Sequence, residues 1–370
     1  MKVTRRAALA ATALTSALIL AACGGSSDGG DTANPTNTAG PTDCVDGSIK
    51  AAGSSAQANA MSVWINTYQI ACPDATIDYQ PVGSGAGIEQ FVAAQTSFAG
   101  TDSAAADEDL TAADARCNAG PAINIPTVGG AIAVNYNVEG LDGLILTPDV
   151  LAGIFASTIT KWNDPAITAI NPGASLPDAS IAQFHRSDSS GTTDNFTKYL
   201  AATAPGVWTF GTGKDWLAPG GQGAKGSDQV AASVEQIPNS IGYVELSYIL
   251  EAQNSKGALI DNGAGPVEPT SANASNALTL ATQVGSGNNL ALKLDYTVAA
   301  PDAYPIVLVT YQLVCQTGLA ADQNPALVKS FLASTVTDAG QALLTDEGYV
   351  PISGDLLTKV RAAVDAITVS

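Results

Sequence analysis

The sequence predicts an α/β protein of open sheets with helices on both faces. Short strand-like runs alternate with helical periods, and a Gly/Ser-rich turn joins strand to helix at three places. The 36 glycines and an aromatic content of only 6% favour tight turns and close backbone approach. A length of 370 residues calls for two domains of ordinary size. No repeat at a solenoid period runs through the chain.

Ile49–Ala52 is a short strand that runs into Gly53-Ser54-Ser55, with a helix over about 58–70. Thr76–Val82 alternates as a strand, and Gly83-Ser84-Gly85-Ala86-Gly87 leads to a helical stretch around 88–94. Ser97–Thr101 is a short strand that ends at Asp102. Ala131–Val138 is a buried strand. Thr147-Pro148-Asp149 opens a helix, with Thr as cap and Pro at the first helical position. Ile181–His185 is a strand followed by Arg186-Ser187-Asp188-Ser189-Ser190-Gly191-Thr192. The next helix carries Phe196, Tyr199 and Leu200 on one face.

Before this pattern begins, Lys2, Arg5 and Arg6 precede an apolar, small-residue run from Ala7 to Ala22. The run is too short for a stable membrane span and reads as a signal peptide, residues 1–22. It ends Leu20-Ala21-Ala22-Cys23, which resembles the bacterial lipobox and implies a lipid anchor at Cys23 on the outer face of the cell membrane. Residues 24–43 hold no large apolar side chain, so 23–45 is expected to be a flexible tether. The net charge of −19 becomes −22 once residues 1–22 and their three cations are removed. Such a chain is repelled by nucleic acid and by anionic membrane surfaces.

Four cysteines remain: Cys44, Cys72, Cys117 and Cys315. An even number in an exported chain points to disulfides, and four allow three pairings. Cys44–Cys72 is favoured, because both precede candidate neighbouring strands; that leaves Cys117–Cys315. With no CxxC and one histidine, no metal site or cofactor is expected.

The chemistry lies in the turns. A helix N-terminus presents unpaired N–H groups and a partial positive charge, so it can hold an anion. Glycine lets a ligand reach the backbone, and serine or threonine adds a hydroxyl donor. In open α/β sheets such turns lie at the carboxyl ends of strands, where ligands bind. In the third turn, Arg186 offers a planar fork suited to an oxyanion, and Asp188 can hold that fork in place.

Several stretches, in order, resemble the bacterial phosphate-binding proteins that serve phosphate ABC transporters. His185–Thr192 is similar to their R-x-D-x-S-G-T segment, and Pro81–Gly87 to their serine-bearing turn. Gly100–Ser103 resembles the segment carrying their aspartate, and Ile125–Asn135 their crossover strand. Gly223–Glu245 and Tyr304–Val309 resemble two further shared stretches. The resemblance implies a two-lobed periplasmic-binding-protein fold, each lobe an open sheet flanked by helices, joined by two crossover hinge strands. Lobe I would be 46–128 plus 302–370, and lobe II 129–301. It implies a monomer that binds inorganic phosphate in the cleft and passes it to an ABC permease complex.

Carried over residue by residue, the binding set is Ser55, Ala56, Ser84, Asp102, Arg186, Ser190, Gly191 and Thr192, with Asp188 behind Arg186. Asp102 is the informative member. A carboxylate beside an anion makes sense only if the ligand carries a proton to donate, as phosphate does near neutral pH and sulfate does not. A fully ionised oxyanion would leave Asp102 unpaired, at roughly 2–5 kcal/mol. The first turn departs from the Gly-Ala-Thr-Phe that many members of that family show: here it is Gly53-Ser54-Ser55-Ala56. A receptor for sulfate or molybdate is the alternative reading.

An enzyme is disfavoured. The one histidine, His185, would point opposite to Arg186 along its strand. Gly83–Gly87 does not fit G-x-S-x-G, because Val82 stands at its first glycine. Gly220–Ser227 lacks the P-loop glycine before lysine, with Ala224 there instead.

Overall fold

The computed structural model describes residues 43–369 apart from 119. The expected signal peptide, the lipidation candidate Cys23 and the tether as far as residue 42 lie outside the described residues. The elements that build the site are, in chain order, β1 (Gly47–Gly53), α1 (Ala58–Ala71), β2 (Ala75–Gln80), α2 (Ser84–Val92), β3 (Phe98–Thr101), α3 (Asp107–Arg116) and β4 (Ala122–Asn137). Then come α4 (Pro148–Phe155), β5 (Ala182–Arg186), α5 (Gly191–Thr203), β6 (Gln222–Ala224), α6 (Gly226–Gln236), β7 (Ser240–Glu245), β8 (Val307–Cys315) and β9 (Val350–Pro351). Among the described residues no helix is long and apolar enough to cross a membrane.

These strands hydrogen-bond in the order β2-β1-β3-β8-β4-β7-β5-β6, with β9 also pairing to β4. β1 is parallel to β2 and β3, and β5 is parallel to β6 and β7. The centre is antiparallel: β8 runs against β4 from Val307↔Ala131 to Cys315↔Ala122. The far half of β4 pairs with β7, from Ile132↔Glu245 to Asn137↔Ser240. All 16 residues of β4 are buried. One ladder therefore runs through both crossing strands.

Side chains on either side of this ladder form separate cores. One gathers Trp64, Phe91, Phe98 and Phe331 and reaches Val128 on β4 and Leu313 on β8. The other gathers Phe155, Trp162, Phe196 and Tyr243 and takes Ala131 on β4 and Leu308 on β8. Between them the register of β4 against β8 shifts: Thr310 faces Val128 and Tyr311 faces Pro126, so Thr127 is an extra residue. Pro126 cannot donate to a ladder, and a bulge is where a central strand tolerates it.

Two boundaries differ from the periodicity. β4 begins at Ala122, well before residue 131, because Pro126 and the Gly129-Gly130 pair hide the first half of the strand. α2 begins at Ser84, not near 88. Its small residues lack an apolar period, but the helix needs them. A Cβ on Gly87 would lie 2.4 Å from the Gly53 Cα.

The disulfides are Cys44–Cys72 and Cys117–Cys315, each with Cα atoms 5.4 Å apart. The first ties the entry of β1 to the end of α1. The second ties the end of α3 to the end of β8 across 198 residues of sequence. In the chain-entropy picture a loop of that length contributes about 5 kcal/mol.

β7 ends at Glu245, which is fully buried against the crossing strands. One carboxyl oxygen accepts from the Ser247 N–H at 2.9 Å. The other has no partner among the described residues and faces Gly130 of β4. Burial, with the Asp102 charge nearby, pushes this carboxyl from 4.5 up to about 8. The folded chain therefore binds a proton here that the unfolded chain releases above 4.5. The stabilisation is complete below 4.5 and is lost as pH rises through about 8. Across that window Glu245 should lower unfolding stability by about 1.4 kcal/mol per pH unit. Denaturant titrations at several pH values should show this slope in the wild type and a flatter one in Glu245→Gln. Equal slopes would place the proton elsewhere.

Candidate functional site

Four strand-to-helix turns converge at the ends of β1, β5 and β6 and at the start of α2. Gly53 closes β1 at φ +149°, and its amide neighbour Ser54 donates to the Gly100 carbonyl of β3 at 2.8 Å. A Cβ on Gly53 would lie 2.0 Å from that carbonyl oxygen, so only glycine brings this turn onto β3. Gly191 plays the same part across the cleft. A Cβ there would lie 2.7 Å from both the Asp102 Cβ and the Ser84 Oγ. Ser190 caps α5, with its Oγ accepting from the Thr193 N–H at 3.2 Å.

The turns meet through hydrogen bonds. Ser84 Oγ accepts from the Gly191 N–H at 3.1 Å and from the Asp102 N–H at 3.3 Å, which leaves its own hydrogen to donate. Gly85 donates from its backbone to the Ser189 carbonyl at 3.0 Å. Ser55 Oγ accepts from the Ser227 N–H at 2.9 Å and lies 3.0 Å from the Ser227 Oγ. Ser55, Ser84, Asp102, Arg186, Ser190 and Thr192 are all buried.

Arg186 is the cation of this cluster, 2% exposed at the end of β5. Its Nε and one terminal nitrogen grip Asp188 at 2.7 and 2.5 Å, a bidentate pair. The other terminal nitrogen donates to Ser227 Oγ at 3.3 Å. Of the five N–H groups of a guanidinium, two remain to donate. Asp188 is anchored in turn by the Gly226 N–H at 3.0 Å. Burial pushes its carboxyl up, but the hydrogen bonds and charge of Arg186 outweigh this and hold it below the usual carboxylate range.

Asp102 is the acceptor of the cluster, 2% exposed beyond the end of β3. Ser54 Oγ and Thr310 Oγ1 donate to one oxygen, Thr310 at 2.9 Å. Thr192 Oγ1 donates to the other at 3.1 Å. A carboxylate offers about four acceptor positions, so about one remains. Burial raises this carboxyl above its ordinary value; the hydroxyls of Ser54 and Thr310, the Arg186 charge and the Thr192 hydroxyl pull against it. The arrangement combines a buried cation, hydroxyl and amide donors, and a single carboxylate acceptor. Chemically it suits a small oxyanion that also carries a proton.

The structure brings together seven of the eight expected residues and their Asp188 support. Ala56 stands apart: it is buried, its N–H donates to Ser54 Oγ at 3.0 Å, and its carbonyl accepts from the Tyr349 hydroxyl at 2.6 Å. His185 turns away and stacks on Trp216, with ring centroids 4.8 Å apart. Among the described residues no cluster of His, Cys, Asp or Glu could hold a metal ion. Three members escape the sequence reading. Ser227 opens α6 after a strand of only three residues, too short to show a period. Ser54 stands at an alanine position of the expected pattern. Thr310 lies in the buried strand β8 beside Tyr311 and Gln312; a buried hydroxyl needs a partner, and that is its available signal.

Residues 38–338 match the PBP superfamily domain. Phosphate-binding protein PstS 3 of Mycobacterium tuberculosis is 41% identical over 375 residues, 99% of this chain and 100% of that one. PstS 2 of the same organism is 36% identical over 100% of both chains. PstS of Xylella fastidiosa is 36% identical over 85% of this chain and 84% of its own. In fold, the chain is similar to a high-affinity periplasmic phosphate-binding protein bound with phosphate at pH 8.5, with TM-score 0.67, 22% identity, and 86% and 93% of the two chains covered. A phosphate-binding protein from Stenotrophomonas maltophilia gives TM-score 0.67 at 18% identity, with 86% and 94% covered. On the superfamily match and the full-length identity to these relatives, the chain belongs to the PstS phosphate-binding proteins.

Proposed function

We propose that this protein captures inorganic phosphate between the turns of its two halves outside the membrane and delivers it to an ABC importer. The observation that carries the reading is Asp102, a buried carboxylate with an acceptor position left, set among donors to an anion. Arg186, steadied by Asp188, supplies charge and two N–H groups. Ser84 supplies a hydroxyl, and the start of α5 at Ser190, Gly191 and Thr192 supplies a helix N-terminus. Ser55 lines the opposite turn. Phosphate with one proton satisfies both the donors and Asp102. Sulfate or molybdate, fully ionised, satisfies only the donors.

In this reading the lobes are 46–128 with 302–370, and 129–301. The two separate cores support a two-lobed division that crosses β4 between Val128 and Ala131 and β8 between Leu308 and Leu313. Bending at the ladder would open and close the cleft. The protein acts as a monomer held at the outer face of the membrane by a lipid on Cys23, after removal of 1–22. Its task in this reading is capture and release, in line with the phosphate-binding names of its relatives.

Isothermal titration of the mature chain should show phosphate binding one to one, with no competition from a thousandfold excess of sulfate. Tight sulfate binding would overturn the proton-reading argument. Arg186→Lys keeps the charge but loses the planar fork, and should weaken phosphate binding by about 2 kcal/mol, roughly thirtyfold. Unchanged affinity would remove Arg186 from the site.

A further inference from the structure

Ser54 has no counterpart in the Gly-Ala-Thr-Phe pattern that the first turn resembles, because an alanine carries no hydroxyl. Here the side chain is 1% exposed and fixed from several directions. Its N–H donates to the Gly100 carbonyl at 2.8 Å, and its carbonyl accepts from the Tyr79 hydroxyl at 2.7 Å. Its Oγ accepts from the Ala56 N–H at 3.0 Å, so the hydroxyl hydrogen is left to point at Asp102, to which it donates. The turn thus aims one extra donor at the acceptor of the cleft and occupies the Ala56 amide in doing so.

We propose that Ser54 is a positioning residue that keeps Asp102 in its acceptor-only form, and so sets how strictly the cleft rejects oxyanions that carry no proton. This rests on the phosphate-binding reading above. The geometry supports the role in two ways. Ser54 and Thr310 share one oxygen of Asp102, which leaves the free acceptor position on the oxygen that Thr192 contacts. A hydrogen bond to the charged form favours that form, and among the groups that counter burial at Asp102 the Ser54 hydroxyl is the largest. Without it Asp102 would take up its proton at a higher pH. A neutral Asp102 no longer repels sulfate and can donate to it.

The test is calorimetry of the wild type, Ser54→Ala and Ser54→Thr with phosphate and sulfate from pH 5 to 8. A second readout is the Asp102 carboxyl titration in the protein without added anion, by carbon NMR, assigned with Asp102→Asn. In Ser54→Ala the phosphate-to-sulfate affinity ratio should fall roughly tenfold on the acid side, the loss expected from one hydrogen bond to a charged group. The pH below which sulfate begins to bind should move upward, and the Asp102 titration should move with it. Ser54→Thr, which keeps the hydroxyl, should restore all three. Freeing the Ala56 amide acts on both anions alike and drops out of the ratio. An unchanged ratio with an unmoved Asp102 titration would overturn the proposal, as would equal losses for both anions. If the wild type binds no phosphate, the functional reading fails, and the carboxyl titration still decides whether Ser54 controls Asp102.

Discussion

A carboxylate at 2% exposure has to be held by donors, and the three hydroxyls that hold Asp102 come from three different parts of the chain. Ser54 follows β1, Thr310 lies on β8, and Thr192 opens α5. The site exists only when these elements are in register, so Asp102 links the cleft to the fold. The close approaches at Gly53 and Gly191 are part of the same requirement, because a Cβ at either position would push a turn off Asp102 or off β3. Arg186 does not touch Asp102. It is clamped by Asp188 and Ser227, which leaves a cation and an anion facing a ligand without neutralising each other.

The β4–β8 ladder positions these groups and separates the two cores. Its bulge at Thr127 shifts the register at the point where Thr310 must reach Asp102. Behind the same ladder, Glu245 lies buried against Gly130 with one oxygen unpaired among the described residues. Ser247 donates to Glu245 from its backbone, and its hydroxyl meets Tyr349, whose own hydroxyl bonds the Ala56 carbonyl. Polar groups on both sides of the crossing are therefore joined to the first turn of the cleft.

Much of this was legible in the sequence where function is written in consecutive residues. Arg186, Asp188 and Ser190–Thr192 lie in one segment, and Ser84 and Asp102 each end a readable strand or turn. The disulfide preference for Cys44–Cys72 followed from strand adjacency, and β1 and β2 are indeed parallel neighbours. What was hidden depends on tertiary register. Thr310 becomes a partner of Asp102 through the antiparallel pairing of β8 with β3, in which Tyr311 faces Thr101. The proline in β4, the strand on the other side of β8, argues against that strand itself. Ser227 follows three strand residues, too few for a period. The early start of α2 was masked because packing against Gly53 selects glycine over good helix formers.

The central claim is that the Asp102 charge reads the ligand's proton. Asp102→Asn keeps the shape and replaces an acceptor-only oxygen with an amide that can present either a carbonyl or an N–H₂. Calorimetry of the wild type and this variant at fixed ionic strength and neutral pH tests the claim most directly. Phosphate should lose little affinity, because the amide carbonyl can still face its proton, while sulfate should gain, because the repelling charge is gone. A variant that still ignores sulfate would contradict the charge-repulsion mechanism even if phosphate binding itself were intact.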